Sequence, residues 1–194
     1  MASLTVACGS NRGRVYSASA TYSTARSGGG ALLQNSEFWV GQQTGYTVHE
    51  SFLDFDTSGL PDNAVISNCD LAINVINDLS ATDFTIKASL RDYGSALTTA
   101  DYVAGASLAA LTLLASKSTS GIATNEYISL TPESAFNSNV SLTANTRIIL
   151  FSSLLEAGTT PTETDIIIID STTYVPQLTI TYTVPNTGAA QMML

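Results

Sequence analysis

Charged side chains are scarce in this sequence. Asp, Glu, Lys and Arg make up 12% of its 194 residues, about half the usual share of roughly 25%. The seven bases, Arg12, Arg14, Arg26, Lys87, Arg91, Lys117 and Arg147, are scattered, and sixteen acids bring the net charge to −9. Phosphate neutralisation needs clustered bases, so nucleic acid is not expected as a partner. Histidine occurs once, as His49 beside Glu50. There is no G-x-S-x-G elbow to set against it, so a Ser-His-Asp site is not expected, and His49 is read as exposed or hydrogen-bonded. Cysteine occurs twice. Cys8 and Cys69 could pair across two strands, but two thiols do not make a disulfide framework, and free buried thiols are favoured. With one histidine and two cysteines no metal or other cofactor is expected. No run approaches the roughly 18 apolar residues of a membrane span. The first fourteen residues, MASLTVACGSNRGR, lack a basic start and an apolar core, so no signal peptide is expected and synthesis is placed in the cytoplasm of a host cell.

What remains is an apolar content of 44%, normal for a packed core, and a polar surface supplied by Ser, Thr and Asn. The clearest local pattern runs from Val48 to Val75. An apolar strand, Ser51 to Asp56, meets the turn formers Ser58 to Asn63, and then Cys69, Leu71, Ile73 and Val75 alternate with polar or small residues. This reads as a hairpin. Leu4–Ala7, Val15–Thr24, Glu37–Gly41, Phe84–Leu90, Glu126–Leu130 and Gln177–Val184 also read as strands. Arg147–Ser152 and Asp165–Asp170 are β-branched runs of the kind buried on both faces. Gly28 to Gly30 is a loop, Asp92–Ala104 a loop with one helical turn, and Leu108–Ala115 strand or irregular structure. Thr131 is expected to cap a short helix reaching Asn137. The sum is an all-β chain, an antiparallel two-sheet β-sandwich of jelly-roll type with one or two helical turns. The sandwich is assigned to residues 1–184 as one domain, with a tail over 185–194.

The stretch SFLDFDTSGLPDNAVISNCDLAI resembles the signature of DNRLRE-type, carbohydrate-binding-module-like β-sandwich domains. Phe38-Trp39-Val40-Gly41 is similar to their apolar strand ending in Val-Gly. Val175 to Tyr182 is similar to their closing strand. The resemblance spans about Val15 to Thr183 and implies a binding or structural module. With low charge and no export signal, the context favours a non-enzymatic virion structural protein of a bacteriophage, in capsid decoration, a head fibre or a tail component. Other virion or particle proteins, and further copies of the chain in a homo-oligomer, are the expected partners. The alternative is a carbohydrate-binding module that holds glycans on an aromatic platform drawn from Trp39, Tyr46, Tyr93 and Tyr102.

Three further constellations are weighed. Asp54 and Asp56 lie on one strand face, about 6.5–7 Å apart by strand rise. That spacing does not exclude a glycosidase pair, but Asp56 opens a turn, where a capping role is preferred. Asp62, Asn63, Asp165 and Asp170 are conceivable calcium ligands without an EF-hand pattern. The uncharged tail ends in Met192, Met193 and Leu194, and Met suits adaptable contacts. It is expected to dock on a neighbouring subunit or to fold back on its own domain, the plain alternative being an end that packs on nothing.

Overall fold

The alternating segments become strands whose partners lie far away in sequence. The computed structural model describes residues 1–34 and 38–185. In chain order its strands are β1 (Ala2–Ala7), β2 (Gly13–Ala18), β3 (Ala31–Gln34), β4 (Phe38–Gln43), β5 (Thr47–Asp56), β6 (Val65–Asp78), β7 (Thr85–Leu90), β8 (Leu113–Ser118), β9 (Tyr127–Ser129), β10 (Thr131–Pro132), β11 (Asn145–Ser152), β12 (Asp165–Ile169) and β13 (Gln177–Thr183). Three short helices, α1 (Tyr22–Arg26), α2 (Phe136–Asn139) and α3 (Ser153–Ala157), and two 3-10 turns at Thr99–Asp101 and Gly105–Ala110 interrupt them. The proposed docking residues Met192, Met193 and Leu194 lie outside the described residues.

The fold is all-β and antiparallel, as the alternation implies. Hydrogen bonds join the strands in the order β1-β13-β6-β12-β4-β5-β11-β7-β8-β10, with β2 on β5, β3 on β2 and β9 on β6. β12 bonds to both β6 and β4, so the ladder is continuous from one margin to the other. Two cores flank its centre. In the first, Leu53, Phe55, Ile148 and Leu150 meet Leu71, Ile73, Leu178 and Ile180. In the second, Val48, Phe52, Ile149 and Phe151 on the opposite face meet Tyr93, Leu97, Val103 and Leu108. Those four belong to residues 91–112, a strap that crosses the outer face of β5 and β11. Both strands are therefore buried on two sides, which is why Arg147 to Ser152 carries so little polar punctuation.

Several local expectations are revised. β5 and β6 do not form a hairpin. β5 pairs with β2, β4 and β11, and β6 with β9, β12 and β13, so the turn between them carries the chain from one part of the ladder to another. Local turn chemistry is the same for a hairpin and a crossing. The second half of Val15–Thr24 is helical, because Thr21 accepts a bond from the Thr24 N–H and opens α1. Thr131 caps no helix. With Pro132 it forms β10 on β8, at the end of the ladder where proline's missing N–H is tolerated. Leu108–Ala115 divides into the end of a 3-10 turn and the start of β8. At Gly41 the backbone has φ 132°, and a Cβ would stand 1.9 Å from the Asp165 carbonyl oxygen. Only glycine lets β4 approach β12 there.

Candidate functional site

The groups with most chemical potential stand along β5. Asp56 is exposed and accepts bonds from the Ser58 N–H (3.1 Å) and Oγ (2.6 Å). These bonds hold its carboxyl below the usual carboxylate range, so it caps the turn. Asp54 accepts from Asn145 Nδ2 at 2.8 Å and stands 3.2 Å from Arg147 Nε. Each acid is thus committed to its own structural partner.

His49 and Glu50 point to opposite sides of β5, and both are buried. The exposed or hydrogen-bonded histidine expected from the sequence is not what forms. The ring lies between Tyr16 (5.6 Å between centroids) and Trp39 (5.3 Å), and neither nitrogen has a hydrogen-bond partner among the described residues. Burial, with the Arg14 guanidinium nearby, pushes its pKa down to about 3, so it stays neutral. Glu50 lies beneath the strap. Its Oε2 accepts the Val103 N–H at 2.9 Å, while its Oε1 has no partner. Burial raises its carboxyl well above the ordinary value, against the lowering effects of the Val103 bond and Arg91. Through Oε2 this buried acid anchors the strap at the Val103 N–H.

The four aromatic candidates are not assembled into one platform. Tyr93 is 6% exposed, stacks edge-on against Phe52, and donates its hydroxyl to the Asn11 carbonyl oxygen at 2.8 Å. Tyr102 donates to the carbonyl oxygens of Ala25 and Arg26, tying the strap to α1. Tyr46 sits beside Tyr22. Trp39 is half-buried with the Arg14 guanidinium 3.9 Å over its ring. The conceivable calcium ligands are likewise spread out. Asp165 accepts the Thr82 N–H, and Asp170 accepts the N–H groups of Thr172, Thr173 and Tyr174. Burial would raise the Asp170 carboxyl, but those bonds outweigh it and hold it low. Asp62 and Asn63 lie in the β5–β6 turn. Cys8 and Cys69 are free and buried. Among the described residues no helix is long and apolar enough to cross a membrane.

Two surface features were not singled out from the sequence. Tyr127 and Tyr174 are exposed and pack edge-to-face at 6.2 Å. Among the described residues β1 forms one margin of the ladder, bonded on one side to β13. The alternation in Leu4 to Ala7 marks a strand but carries no sign of a margin. No family model and no curated protein matches the chain.

Proposed function

We propose that the protein is a non-enzymatic structural protein that assembles on or decorates a larger particle, a bacteriophage virion being the setting its composition favours. The β1 margin is the observation that carries this reading. β1 is six residues long, mostly exposed, and contains neither charge nor proline. Chains that remain apart guard such margins with lysine, proline or a bulge, since unpaired N–H and C=O groups template a further strand. The far margin, β10, has Pro132. Low charge density also lessens the desolvation cost of a protein contact.

Particles purified from producing cells should contain the protein in a fixed copy number. Its absence from every particle fraction would end the reading. The glycan-binding alternative draws on the Tyr127–Tyr174 pair, whose exposed rings offer an apolar face beside Gln177. Saturable binding on a glycan array, lost in Tyr174→Ala, would favour it.

A further inference from the structure

We propose that β1 is an isologous contact, pairing antiparallel with the β1 of a second copy about a two-fold axis at Thr5. This rests on the assembly reading and names the partner of that margin. Cys8 donates its N–H to the Pro176 carbonyl oxygen at 2.8 Å, opposite it in the β1–β13 register. Alternation along an antiparallel ladder then turns the N–H and C=O groups of Ser3, Thr5 and Ala7 away from β13, to a side where no strand among the described residues meets them. Two copies related at Thr5 place these groups against one another as the pairs Thr5 with Thr5, Ser3 with Ala7, and Ala7 with Ser3.

The side chains fit the same register. Leu4 and Val6 pack partly on the first core, and the two-fold sets Leu4 of one copy opposite Val6 of the other, on the core side of both. Thr5 already bonds Thr179 hydroxyl to hydroxyl at 3.0 Å, so the axis brings two such hydroxyl pairs together on the outer face. Residues 2–7 carry no charge, so two chains of net charge −9 meet where neither places an acid. The ends of the margin also match. Met1 (94% exposed) and Val184 (49%) flank the start of β1, and Tyr174 (53%) lies in the loop entering β13, beyond the other end. An antiparallel two-fold carries the first pair of one copy toward the tyrosine of the other. A six-residue margin is about 20 Å long. Alone it buries less than the roughly 1,200 Å² of a standard interface, so the dimer is weak and concentration-dependent.

The register gives a selective test on the full-length chain. A hydrogen-bonded antiparallel pair has Cα atoms about 5.5 Å apart with both side chains on one face, a spacing that a methylene-bridged bis-thiosulfonate cross-linker spans. With this cross-linker, Thr5→Cys chains should join into covalent dimers. Ser3→Cys chains should not join to themselves but should join to Ala7→Cys chains. The native thiols are buried and do not compete. In sedimentation velocity, Thr5→Lys should weaken association at least tenfold, and Asn77→Lys, on β6 away from the margin, should leave it unchanged. Self-joining by Ser3→Cys but not by Thr5→Cys overturns the register. Association that survives Thr5→Lys overturns the contact but leaves the assembly reading standing. Joining of Thr5→Cys to Met193→Cys in preference to itself would assign the margin to the tail and overturn the two-fold.

Discussion

At the scale of single residues, the informative pair is His49 and Glu50, neighbours on β5 that titrate in opposite senses. The Glu50 carboxyl is raised in the folded chain. The stability it supports is fully present below its unfolded value and is lost as pH rises toward the folded one. Glu50→Gln keeps an acceptor for the Val103 N–H and removes the titration. Its melting temperature should match that of the parent near pH 4 and exceed it at pH 8, as read by calorimetry. Glu50→Ala should cost about 2–4 kcal/mol, through a cavity and an orphaned N–H. For His49 the sign reverses. Its folded pKa is about 3, so its contribution is present above the unfolded value of about 6.5 and is lost as pH falls through that window. His49→Phe should flatten the acid limb of a denaturation profile between those values; an unchanged limb would show that the ring is not held neutral. Neither effect was legible in the sequence. The residues were visible at the start of a strand, but the cover on Glu50 comes from a strap whose Val103 lies 53 residues later, and which has no strand period of its own.

At the scale of elements, the strap is held by side chains more than by a ladder. Asn11 donates to the Gly94 carbonyl oxygen (3.1 Å) and accepts the Leu97 N–H (2.8 Å), while its own carbonyl oxygen receives the Tyr93 hydroxyl. Asn11→Ala should cost about 1–3 kcal/mol. Amide exchange should rise across residues 94–104 with β11 unaffected, because such a clamp governs local rather than global opening. Equal acceleration in β11 would mean that the strap and the strands open as one unit. Elements with a sustained period were readable: β6, β7 and β13 all alternate, and β11 shows the double burial its composition announces. β3, α1 and α3 span only 4–5 residues each, too few to display a period. The cap on α3 is a single Ser152 hydroxyl receiving the Leu155 N–H.

At the scale of the whole molecule, fold class follows from composition and alternation, whereas the order of strands does not. Nothing in Val48 to Val75 distinguishes a turn that folds back from one that crosses to another part of the ladder; that is decided by which apolar faces close on each other. The same closure sets thiol reactivity. Burial pushes the pKa of Cys8 up to about 11 and that of Cys69 up to about 12. Neither should react with a thiol reagent at pH 8 until denaturant is added, and prompt labelling of the native chain would contradict the packing around both. The β1–β13 pair also bears on synthesis. Thr5 and Thr179 are 174 residues apart, and translation at about 5–20 residues per second separates their emergence by roughly 10–35 seconds. Throughout that interval an uncharged apolar strand waits outside the ribosome without its partner. A nascent chain stalled before β13 therefore carries two unsatisfied edges on β1, and is the species that chaperones would hold.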